Sequence, residues 1–282
     1  MNDYSINMCN KFKELGRDLH KVTTPFITDA EWSQDCEEAG RFAATCSSHV
    51  ASALFLARVG RPDLSTPVQR LCTKVSKWTK VEDSALVRMV SYLWWHRELV
   101  LEGALGPIDR NDVQLRLYTD ADWCGDGATT KSTSGCWLEF RSPTSGRSWP
   151  ICWSTTKQTA TASSTCESEL VALSGGLRKE ALPAQILIEA ILGSRVSIAC
   201  NVDNTQAISA AQKGYSKKLR CLSRTQRVSI GVVHELVQDP EMHVSVVYCN
   251  TLEMKGDMFT KALGTQPFQK QREAIGIINP SQ

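Results

Sequence analysis

The sequence predicts an α/β protein in which helices cover both faces of a mixed, five-stranded β-sheet, after an all-helical N-terminal segment. Two observations predict this class. From residue 113 onward, three strand-like segments follow one another with only short connections, which is typical of antiparallel hairpins. Later strand-like segments alternate with helical ones, the arrangement that joins parallel strands through crossover helices.

The N-terminal third carries apolar residues at helical spacing. This spacing predicts helices over 36–59 and 65–101, separated by the break Arg61-Pro-Asp-Leu64. The second helix would bury one apolar stripe, formed by Leu71, Val75, Trp78, Leu86, Met89, Val90 and Leu93. A stretch rich in Gly, Pro and Asp then predicts a linker. The predicted division of the chain is a helical segment over 1–102, a linker over 103–112 and an α/β domain over 113–282.

The α/β domain is predicted from alternating apolar runs and from helical spacing. The predicted strands are 113–120, 134–140, 148–154, 196–203 and 243–249. The predicted helices are 164–192, 205–213, 224–238 and a last one from 256 to 263 and onward. Two of the strands end in an aspartate, and two of the helices carry an acidic residue near their start.

Composition bounds the function. The 282 residues are 42% hydrophobic and 22% charged, as in an ordinary soluble globule, and the net charge is only +2. Any affinity for nucleic acid must therefore come from local clusters of cations. No apolar run reaches the roughly 18 residues of a membrane span, and the first residues lack a signal-peptide core, so no membrane partner is expected.

Cysteine and histidine usage argues against a disulfide framework and against a zinc site. The eleven cysteines form no Cys-x-x-Cys pair, and several lie in apolar, strand-like surroundings. We expect reduced, buried thiols in an intracellular protein. The five histidines are scattered, and none is spaced to complete a zinc site with a cysteine pair.

Four acidic residues are candidates for a metal centre. Asp120 and Asp203 close two predicted strands, Glu169 lies in the first turns of a predicted helix, and Asp257 opens another. Strand ends and helix starts can meet at one edge of a sheet. Because four carboxylates brought together would repel each other, the natural occupants are two Mg²⁺ ions, with Mn²⁺ as a possible substitute.

Each candidate has a plainer alternative. Asp120 could form an Asx-turn, Asp203 could cap the next helix, and Asp257 could simply favour a helix N-terminus. Glu167 competes with Glu169, but Ser164 and Glu167 fit a capping box in which the Glu167 carboxylate reaches back to the Ser164 amide. Residues two apart on a helix point about 200° apart, so only one of the two glutamates can face the metals.

Asp122, two residues beyond Asp120, is interpreted as the start of a loop. A basic stretch lies between residues 204 and 234, which contain no acidic residue. Its cations are Lys213, Lys217, Lys218, Arg220, Arg224 and Arg227. Six cations without a counter-charge indicate a face that follows phosphates, although solvated loops can also be basic.

Several motifs in series carry a family resemblance. They are Leu117-Tyr-Thr-Asp-Ala-Asp-Trp123, Lys131-Ser-Thr-Ser-Gly135, Trp153-Ser-Thr-Thr-Lys-Gln158, Ser163-Ser-Thr-Cys-Glu-Ser-Glu-Leu-Val-Ala-Leu173, Val202-Asp-Asn204 and Gly256-Asp-Met-Phe-Thr-Lys-Ala-Leu263. Over roughly 113–276 the chain resembles the ribonuclease H region of copia-type (Ty1/copia) retrotransposon polyproteins. Gly60-Arg-Pro-Asp-Leu64 and Val87-Arg-Met-Val-Ser-Tyr-Leu93 resemble the segment after the reverse-transcriptase palm, so 1–102 is interpreted as a remnant of its thumb and connection. The chain has no Asp-Asp pair, and no polymerase activity is expected.

The resemblance implies a ribonuclease H fold with strand order 3-2-1-4-5. It also implies hydrolysis of the RNA strand of RNA/DNA hybrids with two Mg²⁺ ions held by Asp120, Glu169, Asp203 and Asp257. Glu169-Leu-Val-Ala172 fits the family pattern for the helix glutamate better than Glu167 does. The residues expected to contact the hybrid are Lys157, Gln158, Ser164, Lys217, Lys218, Arg220, Arg224 and Arg227. The implied setting is a retroelement polyprotein in the cytoplasm, in retroelement particles or in the nucleus.

The missing polymerase and a departure from the family at Gln226-Arg227 leave a rival interpretation open. The chain has Thr225-Gln-Arg-Val-Ser229 where copia-type sequences usually have Thr-Lys-His-Ile-Asp, and Cys166 is an extra residue at the helix start. The first rival is therefore a catalytically silent fragment that only binds nucleic acid. A second rival, an integrase or an exonuclease on the same fold, is less favoured because integrases carry their glutamate last in the set.

Overall fold

The computed structural model describes residues 2–14, 18–127 and 129–280. The chain divides into two compact units, one formed by Met1–Leu101 with Lys261–Gln282 and the other by Glu102–Thr260. The sequence-derived division assigned 261–282 to the α/β domain, whereas in the structure these residues pack in the first unit. The two units are described separately.

The first unit is mainly helical. Its helices are α1 (Asn2–Glu14), α2 (Asp29–Trp32), α3 (Cys46–Val59), α4 (Ser65–Cys72), α5 (Lys80–Trp95) and, after the second unit, α11 (Thr265–Ala274). The predicted helix over 36–59 begins only at Cys46, because Ala39 forms a β-bridge with Thr79. The predicted helix over 65–101 is broken after Cys72, because Thr79 starts a new helix with a capping box that includes Glu82.

The C-terminal residues complete this first unit. Phe268 of α11 is fully buried, and its ring packs edge-on against Phe26 and Tyr92. Strand β7 (Ile277–Ile278) pairs antiparallel with β1 (Val100–Leu101), so the N-terminal segment is not purely helical as predicted. These contacts join residues far apart in the chain, which is why local sequence patterns did not indicate them.

The second unit contains the predicted mixed sheet. Its strands are β2 (Gln114–Asp122), β3 (Thr133–Arg141), β4 (Ser148–Lys157), β5 (Ile198–Val202) and β6 (Val244–Tyr248). The order across the sheet is β4-β3-β2-β5-β6, with antiparallel pairs among the first three strands and parallel pairs from β2 to β6. Counted within this sheet, the order is 3-2-1-4-5, which confirms the predicted fold.

The helices of the second unit are α6 (Thr165–Gly176), α7 (Leu182–Leu192), α8 (Thr205–Lys213), α9 (Leu222–Thr225) and α10 (Ile230–Gln238). A π-helical stretch, Leu177–Ala181, joins α6 to α7 before the proline at 183, which lacks a backbone N–H. The predicted helix over 224–238 is two helices, because Arg227 adopts a positive φ of 57° and Ser229 caps α10. The predicted helix from 256 is only a 3₁₀ turn, Lys255–Phe259.

The hydrophobic core lies on the face of the sheet that α6 covers. Leu115, Leu117 and Leu138 of the sheet pack with Leu170 and Leu173 of α6, and all five side chains are fully buried. Burial of these apolar side chains is the main force that holds α6 on the sheet. The position of this helix relative to β2 and β3 is therefore set by the core.

The Lys255–Phe259 turn is anchored on strand β3. Phe259 stacks on Trp137 with 5.9 Å between ring centroids, and the Lys255 Nζ lies 2.5 Å from the Glu139 carboxylate. Both ionic side chains are buried, and Trp137 Nε1 also donates to Glu139 at 2.8 Å. Burial lowers the pKa of the Lys255 ammonium, and Glu139 opposes this effect.

Two general predictions can be compared with the described residues. All eleven cysteines lie among them and carry free thiols, and burial raises the pKa of Cys200 to about 12. Among the helices of residues 2–14, 18–127 and 129–280, none has the length and apolar character needed to cross a bilayer.

We predict that Lys255→Met destabilises the protein by about 3–5 kcal/mol, because it leaves the buried Glu139 carboxylate without its cation. Urea unfolding of the full chain measures the loss. The control is Arg195→Met, which removes an ion pair to Glu189 from a side chain that is 63% exposed. That change should alter the free energy of unfolding by less than about 1 kcal/mol. Equal effects of the two substitutions would contradict the anchoring role.

Candidate metal centre and nucleic-acid interface

Three acidic side chains meet at one edge of the sheet. Asp120, Glu169 and Asp203 each place a carboxylate oxygen within 4.8 Å of the others. Strands β2 and β5 are parallel neighbours, and Tyr118 is paired with Asn201. Two residues further on, Asp120 and Asp203 therefore occupy equivalent positions and lie on the same side of the sheet.

Glu169 reaches this edge from helix α6. Its side chain and that of Asp120 are buried, and the amide of Ala121 donates a hydrogen bond of 3.4 Å to Glu169 Oε1. The helix that packs on the core thus brings its glutamate against the end of β2. The structure places Glu169 in the cluster, as the sequence analysis expected, and Glu167 outside it.

Asp203 does not cap helix α8, the plainer alternative role for this residue. Asn204 caps α8 instead, since its side-chain oxygen accepts from the amides of Gln206 and Ala207, both at 3.0 Å. Thr251 donates a hydrogen bond of 3.2 Å to the Asp203 carboxylate. The carboxylate is therefore directed to the edge of the sheet, with one oxygen held by a hydroxyl group.

Asp257 lies close to the cluster but is not one of the acids within 4.8 Å of one another. It is buried on the Lys255–Phe259 turn. Asp203 and Asp257 both add to the effect of burial and of Glu253 in raising the pKa of the Cys249 thiol to about 11. The predicted cluster of four acids is thus a cluster of three, with the fourth on the neighbouring turn.

Two glycines allow this turn to approach β2 and β3. A Cβ on Gly135 would lie 2.7 Å from the Gly256 carbonyl oxygen, and a Cβ on Gly256 would lie 2.9 Å from the Asp120 Cβ. The close approach lets the Thr260 hydroxyl donate a short hydrogen bond to the Asp120 carboxylate. Local sequence patterns do not indicate this function of Thr260, although the residue stands in the Gly256–Leu263 motif.

Glu167 contacts a different set of residues. The Ser164 hydroxyl accepts from the Glu167 amide at 3.2 Å, but the Glu167 carboxylate binds the amide and hydroxyl of Ser163 instead of the Ser164 amide. The predicted capping box is therefore only half formed. Burial would raise the pKa of Glu167, but hydrogen bonds from Ser163, Gln226 and Thr225 outweigh it and lower the pKa.

The basic segment, defined here as residues 217–227, presents its cations to solvent. Its exposed cations are Lys217, Lys218, Arg220, Arg224 and Arg227. Leu219 and Leu222 are buried in the hydrophobic core and hold the segment on the protein. Lys218 lowers the pKa of the Cys166 thiol, against the larger effects of burial and of Glu169, so the segment lies beside the start of α6.

The other residues expected to contact nucleic acid have different surroundings. Lys157 forms an ion pair with Asp126. Gln158 is buried, and its amide donates to Ser134 Oγ at 2.9 Å and to the Ser168 carbonyl at 3.0 Å. This placement corrects the prediction for Gln158, because its amide connects β3 to α6 and is turned away from solvent. Ser164 is half-buried at the N-cap of α6.

Asp122 belongs to strand β2, although a loop was predicted at this position. It is the last residue of strand β2, and its carboxylate accepts a short hydrogen bond from the Thr133 amide at the start of β3. Asp122 therefore closes the β2–β3 hairpin, and it does not begin a loop as the sequence analysis had interpreted it.

The cluster suits a hard divalent cation. All three donor groups are carboxylates, the ligands that Mg²⁺ and Mn²⁺ prefer, and two of them are buried where their mutual repulsion is poorly screened. Asp120, Glu169 and Asp203 would hold such an ion, with Asp257 available from the adjacent turn. A bound cation would remove the repulsion that their placement creates.

Several known proteins share sequence similarity with this chain. No protein-family model matches the chain. The Retrovirus-related Pol polyprotein from transposon RE2 of Arabidopsis thaliana is 28% identical over 226 residues, which are 77% of this chain and 14% of that protein. The Pol polyprotein from transposon TNT 1-94 of Nicotiana tabacum is 26% identical over 247 residues, 86% of this chain and 17% of that protein. The chain thus spans only about a sixth of the length of these relatives.

Two further proteins that are similar to this chain do not carry the name Pol polyprotein. Secreted RxLR effector protein 161 of Plasmopara viticola is 32% identical over 127 residues, 45% of this chain and 82% of that protein. Among solved structures, LC11-RNase H1, isolated from compost, covers 52% of this chain and 92% of its own, with 11% identity and a TM-score of 0.34. The fold assignment itself follows from the strand order described above.

The chain is similar to copia-type retrovirus-related Pol polyproteins over 77–86% of its length, which confirms the resemblance drawn from its motifs. The mixed sheet of its second unit, with order 3-2-1-4-5, has the ribonuclease H-like fold that this similarity implies.

We predict that Asp120→Asn lowers the affinity for Mn²⁺ by at least about tenfold, the lower limit seen when even a supporting group of a metal site is lost. In EDTA its free energy of unfolding should be unchanged or slightly higher, because carboxylate repulsion is relieved. Calorimetric Mn²⁺ titration and urea unfolding measure the two quantities. Glu167→Gln is the control and should retain the affinity. Equal losses in both variants would overturn the assignment of ligands.

Proposed function

We propose that the second unit cuts the RNA strand of RNA/DNA hybrids by two-metal-ion catalysis, within a retroelement polyprotein. The observation that carries this proposal is the convergence of Asp120, Glu169 and Asp203 at a sheet edge beside the basic segment. When bound, a pair of Mg²⁺ ions would lower the pKa of the attacking water and stabilise the leaving 3′ oxygen.

The residues of the chain would hold and orient these groups. Asp120, fixed in strand β2 and buried, would hold a metal ion most rigidly of the three acids. Glu169 and Asp203 flank it from α6 and from the end of β5. Asp257 would complete the set from the Lys255–Phe259 turn. Thr260, by its hydrogen bond to Asp120, would restrict the rotation of that carboxylate.

The substrate class is supported by the charge distribution. The cations of the basic segment lie beside the catalytic helix, where they could follow one phosphate backbone of a duplex. A hybrid differs from duplex DNA by the 2′-hydroxyl groups along its minor groove, and these would supply the discrimination. Similarity to the Pol polyproteins supports a setting in which such hybrids arise, in the cytoplasm, in retroelement particles or in the nucleus.

A catalytically silent, nucleic-acid-binding protein is the second candidate. The departure at Thr225-Gln-Arg-Val-Ser229 favours it, because family contacts there are changed. Gln226, however, is buried and donates to Glu167, so the departure leaves this part of the segment attached to the helix. Binding alone needs only the basic segment, whereas the convergence of three carboxylates is an arrangement that favours a metal-dependent reaction.

We predict that the full chain cleaves the RNA strand of a labelled RNA/DNA hybrid in Mg²⁺, and that EDTA abolishes the reaction. Asp120→Asn should lower the rate by at least about a hundredfold, the scale on which one electrostatic stabiliser acts. Gel analysis of both labelled strands measures the rate and identifies the strand that is cut. Full activity in EDTA would end the two-metal proposal, and salt-sensitive binding without cleavage would establish the silent candidate.

We predict that replacing Lys217, Lys218, Arg220 and Arg224 with alanine weakens hybrid binding and leaves Mn²⁺ affinity unchanged. Each lost phosphate contact should flatten the plot of log affinity against log salt by roughly 0.7–0.9. Fluorescence-anisotropy titrations over a salt series measure both effects. Lys179→Ala, which removes one exposed cation on the π-helical stretch outside the basic segment, serves as the control. An unaltered slope would place the nucleic-acid face elsewhere, first at residues 155–164.

A further inference from the structure

Glu167 has a role that metal binding does not explain. The residue is buried two positions before a metal-ligand candidate, yet its carboxylate lies outside the acidic cluster. We propose that Glu167 is a positioning residue that fixes the basic segment against helix α6, so that the phosphate-binding cations lie at a set distance from the metal centre. This inference rests on the proposed function and adds a contact that aligns the basic segment with the metal centre.

The carboxylate of Glu167 joins two segments that are distant in sequence. On its own side it accepts from the Ser163 amide at 3.0 Å and from the Ser163 hydroxyl. From the basic segment it accepts from the Gln226 amide group at 3.2 Å and from the Thr225 hydroxyl at 3.4 Å. One carboxylate thus receives donors from both sides of the junction.

Gln226 contacts both Glu167 and the chain before helix α6. Its amide nitrogen also donates to the Thr161 carbonyl at 3.0 Å, and its side chain is buried. Without Glu167, this buried amide would keep only one acceptor, and an unsatisfied buried donor disfavours the docked arrangement. Hydrogen bonds to an ionised acceptor are also stronger than those between neutral groups.

Helix α6 connects the Glu167 contact to the metal centre. Glu167 and Glu169 are two residues apart, so they point in directions roughly 200° apart on one rigid turn. Glu169 faces the metal centre and Glu167 faces the basic segment. Leu219 and Leu222 hold the N-terminal part of the basic segment in the core. Glu167 holds its C-terminal part, next to Arg224 and Arg227.

The test compares Glu167→Gln with Glu189→Gln in the full chain. Glu189 is a matched control, because it lies on α7 and accepts from the Val196 amide at 3.0 Å, away from the basic segment. If Glu167→Gln leaves the segment docked about a tenth of the time, the apparent Kd for the hybrid rises about tenfold. We expect this rise, a flatter salt dependence, a higher KM, a nearly unchanged kcat and unchanged Mn²⁺ affinity. Glu189→Gln should change none of them.

A donor–acceptor exchange provides the rescue. Gln226→Glu alone places two carboxylates together and should weaken binding as Glu167→Gln does. In the double variant E167Q/Q226E a glutamine can donate to a glutamate across the same junction, and we expect part of the affinity to return; the rest stays lost because a carboxylate at position 226 cannot donate to the Thr161 carbonyl. Losses that simply add in the double variant would show that the two side chains act independently and would overturn the proposal.

Hydrogen exchange keeps this inference separate from the proposed function. In Glu167→Gln the amides of 217–227 should exchange faster than in the wild type, and in Glu189→Gln they should not. If the wild type neither binds nor cleaves the hybrid, the proposed function fails, and faster exchange still supports the positioning role. Unchanged exchange, or a loss of kcat and of Mn²⁺ affinity with an unchanged Kd, would refute it.

Discussion

The second unit depends on one electrostatic constraint, the repulsion among carboxylates that the fold forces together. Asp120 lies in β2 and Asp203 directly follows its parallel neighbour β5, so the register of the two strands sets their separation. Glu169 is brought to the same edge by a helix that the apolar core fixes. The free energy of the core therefore maintains an arrangement that is unfavourable by itself and that a divalent cation would make favourable.

The surroundings of the cluster reduce its freedom to relax. Thr260 and Thr251 each donate a hydrogen bond to one of the aspartates, and the Ala121 amide donates to Glu169. The turn that carries Thr260 and Asp257 is held by the buried Lys255–Glu139 ion pair. Such supporting contacts preserve ligand geometry before an ion arrives, which is what a preorganised metal site requires.

The general fold and the three clustered acids could be predicted because they depend on local patterns. Apolar alternation marks the strands, and the acids stand at predicted strand ends or in the first two turns of a capped helix. Helix geometry allows only one of Glu167 and Glu169 to face the metals, and the capping-box and family patterns indicated Glu169. These signals lie within a few residues of one another, so the sequence displays them directly.

The remaining features depend on contacts between distant residues, which single-sequence patterns do not display. Thr260 meets Asp120 across 140 positions, and Gln226 meets Glu167 across 59. Gln158 reads as an exposed polar residue until its amide is seen between Ser134 and Ser168. The packing of α11 in the first unit likewise depends on Phe268 meeting Phe26 and Tyr92.

Anomalous diffraction from crystals grown with Mn²⁺ tests the central claim most directly, because it locates the ions without assuming any activity. The predicted result is anomalous density within about 2.5 Å of carboxylate oxygens of Asp120, Glu169 and Asp203, with none at Glu167. Density centred on Glu167, or a cluster that stays empty at saturating Mn²⁺ while ions bind elsewhere, would contradict the claim.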